Sequence, residues 1–170
     1  MSGALRAPAV PLVRPYAPAD RGALLALNRA EEAQTSPLTG PEFDALVAAS
    51  FRTLVAPGDE GTTLGFLVAF DENAAYESPN FLWFRAREPR FAYIDRVAVA
   101  ADARGRGVGR ALYEALFLAA REAGHRLVTC EVNVEPPNPV SDRFHASFGF
   151  REVGRGPAKG RLVRYLARDL

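Results

Sequence analysis

Arg104-Gly105-Arg106-Gly107-Val108-Gly109 lies between an apolar strand-like run, Phe91 to Val99, and an amphipathic run that begins at Val108. Strand, glycine-rich loop and helix start together make an anion cradle. Glycines let the backbone pass close to a ligand, and the first amides of a helix have no internal partners and point outward at it. Arg104, Arg106 and Arg110 crowd the positive end of that helix, where each cation is disfavoured by up to about 1 kcal/mol. An external anion would relieve them; a turn whose arginines are solvated or paired with Asp102 is the plainer alternative.

Two other phosphate motifs fail residue by residue. A dinucleotide fingerprint needs G-x-G-x-x-G, but its last position falls on Arg110 in one frame and Leu112 in the other. The nucleotide-hydrolase loop needs Gly-Lys-Ser/Thr, and the sole lysine, Lys159, precedes Gly160. What remains is Arg-x-x-Gly-x-Gly on Arg104, Gly107 and Gly109.

Composition narrows the rest. The 170 residues are 48% hydrophobic with a net charge of +1, which suits a single domain over residues 1–170 with a substantial core, residues 1–9 forming a flexible end. A near-neutral balance gives no global field toward nucleic acid or anionic lipid, so neither is expected as a partner. One cysteine, Cys130, excludes an internal disulfide and a thiolate-built zinc site, and no metal is expected. Arg6, Pro8 and Pro11 interrupt any export-signal core, and no stretch approaches the roughly 18 apolar residues of a membrane span. A soluble, cytoplasmic protein is expected.

The elements that must position the loop follow from periodicity and punctuation. Val10 to Pro15 reads as an edge strand and Ala19 to Ala33 as a helix. Thr39, Pro41 and Glu42 make a capping-box start for a second helix with Phe43, Leu46 and Val47 on one face. Phe51 to Ala56 and Thr63 to Phe70 form a hairpin around Pro57 to Gly61. A long connection, Asp71 to Arg90, carries Tyr76, Phe81, Trp83 and Phe84 and could wall a substrate pocket or pack on the sheet. After the Phe91 to Val99 strand, Val108, Ala111, Leu112, Ala115, Leu116 and Ala119 form one helical stripe that Gly124 ends. Leu127 to Val134 is the next strand, Asn138-Pro139 opens a short helix, and Phe150 to Val153 with Leu162 to Ala167 close as a hairpin. His125, at a helix end, reads as solvated or capping, and Cys130 as core, on the face opposite Glu131.

This order and the Arg104, Gly107, Gly109 loop resemble the GNAT superfamily of N-acetyltransferases, from about Val10 to Leu170. Asn138, then Phe144-His145, then Gly149-Phe150 look like that family's helix near the CoA thiol and its Gly-Phe turn. Tyr93-Ile94-Asp95-Arg96-Val97, Glu131-Val132-Asn133 and Pro136-Pro137-Asn138-Pro139 are similar to a group of predicted bacterial acetyltransferases of unidentified substrate. The resemblance implies an α/β (α+β) fold: a mixed, mostly antiparallel twisted sheet of about six to seven strands flanked by about four helices, with a splayed central strand pair. It implies acetyl-CoA as co-substrate and an amine acceptor, and leaves a homodimer open. Carried over, it assigns CoA to Val97, Ala98 and Val99 on the strand, to Arg104, Gly105, Arg106, Gly107, Val108, Gly109 and Arg110 at the loop, and to Asn138, Ser141 and Phe144.

An alkyl amine with a pKa of about 10 is some thousandfold protonated at pH 7 and lacks a lone pair for attack on a thioester, so a base is needed; the leaving thiolate, pKa about 8.5, gains from a nearby acid. Glu131 matches a glutamate of ribosomal-protein alanine acetyltransferases, a subgroup of the family, and is the first candidate base. Asp95 is the second, two residues from Tyr93, where histone-type members carry a glutamate; either carboxylate could instead pair with Arg96 or Arg143. Many members have a tyrosine where this chain has His145, which could be acid, base or a helix-surface residue. Glu31, Tyr76, Phe81, Trp83 and Tyr93 are the candidate acceptor-pocket residues, with Arg85 and Arg87 near the rim. The readings left open are an acetyl-CoA-dependent N-acyltransferase acting on a small-molecule amine or peptide N-terminus, a catalytically silent CoA sensor, and a phosphate-binding interaction module.

Overall fold

The computed structural model describes residues 10–33 and 35–170; the expected flexible end, residues 1–9, lies outside them. Seven strands form one sheet in the order β1-β2-β3-β4-β5-β7-β6. They are β1 (Arg14–Pro15), β2 (Arg52–Pro57), β3 (Thr63–Asp71), β4 (Phe91–Val99), β5 (Leu127–Asn133), β6 (Arg151–Ala158) and β7 (Arg161–Asp169). Every neighbouring pair is antiparallel except β4 with β5. Five helices cover it: α1 (Arg21–Ala30), α2 (Gly40–Ala49), α3 (Pro79–Arg85), α4 (Val108–Glu122) and α5 (Pro139–Ser147).

Strand alternation sorts the side chains into two cores. Phe66, Val68 and Phe70 of β3 meet Leu24 and Leu27 of α1, Phe43 and Leu46 of α2, and Phe81 and Phe84 of α3 on one face. Leu67, Ala69 and Val128 meet Leu112, Leu116 and Ala120 of α4 on the other. Each fully buried Leu or Phe contributes roughly 1.5–3 kcal/mol. The expected capping box holds α2: the Glu42 N–H donates to Thr39 Oγ1 at 3.4 Å, and the Thr39 N–H to Glu42 Oε2 at 2.8 Å. Gly124, at φ 78°, ends α4. His125 is not a solvated residue: it is 7% exposed, 3.3 Å from Glu72 through Nδ1 and edge-on to the Phe51 ring.

The connection from Asp71 to Arg90 holds a helix, which makes five rather than about four. Its seven residues are too short for a periodic signal, and its pattern is aromatic. Pro79 fits the first turn, where no amide partner is needed, and Phe81 and Phe84, three apart, pack into the core at 0% and 1% exposure. Trp83 stacks on Tyr165 with centroids 4.1 Å apart. A Cβ at Gly154 on β6 would sit 2.6 Å from the Trp83 ring. Gly154→Val should therefore cost about 1–3 kcal/mol, read as a Tm lower by roughly 3–10 °C in thermal unfolding. The closing hairpin is longer than expected because Lys159 and Gly160, at φ 49° and 74°, form a two-residue turn that lets pairing run up to Ala158 and Arg161.

Two irregularities in β4 make the site. Pairing with β3 jumps from Val68–Arg96 to Ala69–Ile94, so Asp95 is the extra residue of a bulge. The bulge inverts the alternation: Tyr93 belongs to the α1/α3 face, while Val97 and Val99 turn to the α4 face. Pairing of β4 with β5 covers only Phe91 to Tyr93 against Leu127 to Thr129. Beyond these residues the two strands part.

Candidate active site

The α4 side of that gap is a cavity of about 680 Å³. Gly105 and Gly107 adopt φ 74° and 81°, and the first backbone bond of α4 runs from the Ala111 N–H to the Gly107 carbonyl, leaving the amides before it to face outward. Val97, Val99, Arg104, Gly105, Gly107, Val108, Gly109, Arg110, Asn138, Ser141 and Phe144 all line this cavity. Gly109 keeps the floor open: a Cβ there would stand 3.5 Å from the Phe144 ring and 3.8 Å from Val99.

Two expected residues lie elsewhere. The Ala100 N–H bonds to Leu64 on β3, so alternation turns the amide groups of Ala98 to β3 and those of Val97 and Val99 to the gap. Ala98 itself packs into the opposite core. Arg106 is exposed and borders a separate groove beside Leu64 on the other side of the loop. The arginines are also less crowded than the spacing suggested: Arg104 pairs with Glu31, and Arg110 lies 3.5 Å from Glu114 and 4.5 Å over the Phe148 ring.

His145 forms part of the same wall but is no surface histidine. It is 8% exposed; Nδ1 lies 2.8 Å from the Ser141 carbonyl and Nε2 lies 3.0 Å from the Tyr113 hydroxyl. A carbonyl only accepts, so Nδ1 carries the proton and Nε2 accepts from Tyr113. Burial pushes its pKa down, which keeps the ring neutral at pH 7. Tyr113, also in this wall, gave no signal in the sequence because its position on α4 reads as ordinary core.

On the opposite face the gap opens into a cavity of about 480 Å³, floored by Tyr76, Tyr93, Asp95 and Glu131. After α1, Glu32, Ala33, Thr35, Ser36 and Pro37 border one side; Lys159 and Arg161 of the β6–β7 hairpin border another. Glu131 accepts a 2.8 Å hydrogen bond from the Tyr93 hydroxyl and pairs with no arginine among the described residues. Burial, reinforced by the charge of Asp95, raises its pKa to about 7 against the hydrogen bond from Tyr93. Tyr93 is itself pushed well up, chiefly by burial, and stays a phenol. Cys130, alternating with Glu131, is buried in the other core.

Asp95 takes the arginine-paired reading. It lies 2.8 Å from Arg96 Nε, both side chains 7% exposed, and accepts the Tyr76 hydroxyl. Arg96 in turn donates to Asn28 Oδ1 at 3.0 Å and to the Ser36 carbonyl at 3.2 Å, tying the segment after α1 to the bulge. Of the expected acceptor-pocket residues, Tyr76 and Tyr93 line the cavity; Phe81 and Trp83 do not, because α3 turns them into the core and onto Tyr165, and Glu31 is occupied with Arg104.

A glycine-rich loop cavity and a carboxyl-floored cavity thus meet across one parted strand pair, and the acetyltransferase (GNAT) family model matches residues 24–150, about three quarters of the chain. The chain belongs to the GNAT acetyltransferase family. It is 44% identical over 77 residues to an N-acetyltransferase of Streptomyces griseus, covering 43% of this chain and 39% of that protein. It is 47% identical over 66 residues to a phosphinothricin N-acetyltransferase of Streptomyces coelicolor, covering 38% and 37%. These matches thus span under two fifths of the relatives' own length. The fold of this GNAT chain is similar to the ribosomal-protein-alanine N-acetyltransferase of Brucella melitensis (TM-score 0.69, 26% identity, 94% of this chain and 99% of that one). It is also similar to a chain of the NatC complex bound to Gag peptide and CoA (TM-score 0.72, 15% identity, 95% and 99%). Among the described residues no helix is long and apolar enough to cross a membrane.

Proposed function

We propose that the chain transfers an acetyl group from acetyl-CoA to a primary amine, of a small molecule or a peptide N-terminus, by direct attack on the thioester. The observation that carries this reading is the parted β4–β5 pair, which puts an anion cradle on one face and Glu131, with its pKa near neutrality, on the other. The donor fits the residues present. The α4 amides and Arg104 suit a pyrophosphate, and the outward amide groups of Val97 and Val99 suit the amide-bearing arm.

On the acceptor side, Glu131 takes the proton of the incoming ammonium, directly or through water, so that the free amine can attack. The new C–N bond forms as the C–S bond breaks, the amine nitrogen sheds its second proton to water, and the thiolate leaves with a proton. Tyr113 and His145 stand on the donor wall, and we assign that proton to the Tyr113 hydroxyl, which His145 holds in place; the phenolate regains a proton from solvent once CoA has left. Asp95, held by Arg96 and Tyr76, keeps Glu131 basic by its charge. A silent CoA sensor or a phosphate module has no use for a buried, near-neutral carboxyl facing a second cavity.

Thermal unfolding with acetyl-CoA, CoA, ATP and NAD tests the donor assignment without knowledge of the acceptor. A ligand at a hundred times its Kd stabilises by about 2.7 kcal/mol, a Tm rise of roughly 5–10 °C. The reading expects this rise with acetyl-CoA and CoA only, and a smaller one for Arg104→Ala, which loses a charge-assisted contact. Equal shifts with all four nucleotides would overturn it.

A further inference from the structure

We propose that Asn80, on α3, is a positioning residue for Glu131, donating from its amide to that carboxyl in the acceptor cavity. The inference rests on the reading of Glu131 as the base. No motif pointed to α3, yet this short helix delivers a single amide side chain into the acceptor cavity, between Pro79 and the core residue Phe81. Asn80 is 8% exposed, and a buried amide requires partners at both ends. Its Oδ1 has one: the Tyr165 hydroxyl of β7 donates to it at 3.3 Å. That bond leaves the two Nδ2 protons for another acceptor, and Glu131 is at hand: it is the cross-strand partner of Tyr165 and lines the same cavity as Asn80. A hydrogen bond from the Asn80 amide favours the ionised form of Glu131 and draws its pKa down, as the 2.8 Å bond from Tyr93 does.

The arrangement has a chemical consequence. A carboxyl held only by burial would drift far above neutrality and stay protonated, useless as a base at pH 7. Two neutral donors, a phenol from β4 and an amide from α3, favour the ionised form without neutralising it, as an arginine would. The other charged groups around Glu131 are accounted for. Asp95, paired with Arg96, acts from β4 to raise its pKa, and Tyr76 is bonded to Asp95. Lys159 and Arg161 of the hairpin and Glu32 after α1 complete the cavity's charged lining. Phe81 and Phe84 anchor α3 in the core, so the amide is placed by the packing of its own helix.

The test is the titration of Glu131 by carboxyl 13C NMR in the full chain, its resonance assigned by loss in Glu131→Gln. This readout needs neither donor nor acceptor, so it can fail while the transferase reading stands, and the reverse. Asn80→Leu removes the donor at similar volume and should move the Glu131 midpoint up by about one unit, as expected when a hydrogen bond to a charged group is lost. Asn80→Asp keeps an oxygen for the Tyr165 hydroxyl but turns an acceptor toward Glu131, and should raise the midpoint at least as far. Where an acceptor supports turnover, the acidic limb of kcat should shift with the midpoint and the activity should return at higher pH. If a folded Asn80→Leu, or Asn80→Asp where the leucine variant does not fold, leaves the Glu131 midpoint at its wild-type value, Asn80 is only a packing residue and the proposal falls.

Discussion

Glu131→Gln is expected to lower kcat by about 10²- to 10⁴-fold, the usual worth of a general base, while leaving the Kd for CoA within a few-fold. The glutamine preserves shape and can still accept from Tyr93, so the loss isolates proton transfer from positioning. The wild-type pH profile of kcat should fall below a midpoint of about 7, where burial places the carboxyl, and the variant should lack that limb. Stability should move the other way. The pKa is raised in the folded state from an ordinary 4.5 to about 7, so the folded chain binds more protons than the unfolded chain between those values. The contribution of Glu131 to wild-type stability is therefore fully present below about pH 4.5 and is lost as pH rises through 7. The always-neutral glutamine escapes this decline. Chemical denaturation at pH 8 should find the variant more stable by up to about 3 kcal/mol, with the advantage vanishing toward pH 4.5.

Gly107→Val should raise the Kd for CoA by about 10²-fold, read by calorimetric titration. Gly107 caps α4 with φ 81° and ψ 10°, a region that costs a β-branched residue more than the 1–2 kcal/mol typical of L-residues. Nothing lies within 4 Å of where its Cβ would stand, so the effect is one of backbone conformation, not crowding. The variant relieves its strain by moving the loop, and the amides that face the cavity move with it. Because the strain sits at the exposed mouth of α4, away from the cores, Tm should fall by only a few degrees while binding collapses. A variant that binds CoA as the wild type does would show that the α4 amides are not the anion site.

What could be read from the sequence was what short-range rules decide. The loop from Arg104 to Gly109, its strand and its helix lie within some thirty residues, and glycine geometry together with the apolar stripe of α4 determines them locally. Glu131 and Cys130 fell on their proper faces because strand alternation is strict where no bulge intervenes. Failures came where tertiary packing decides. The bulge at Asp95 has no glycine to mark it; it exists because β3 and β4 slip register, and it turned Ala98 away from the gap. Helix α3 is two turns of aromatic residues stabilised by the core it completes, so Phe81 and Trp83 read equally as a pocket wall or as sheet packing, and Asn80 went unnoticed. Glu31 looked like an acceptor residue, since nothing in the sequence reveals that Arg104 folds back on it.

Acetyl transfer itself is the most direct measurement: thiol release from acetyl-CoA, with mass detection of the acetylated product, across amino acids, small alkyl and aryl amines and short peptides, for the wild type and Glu131→Gln. Amine-dependent thiol release is expected to rise through about pH 7 in the wild type and to be reduced at least a hundredfold in the variant. Thiol release that no amine accelerates, or that Glu131→Gln leaves unchanged, would contradict the proposed mechanism.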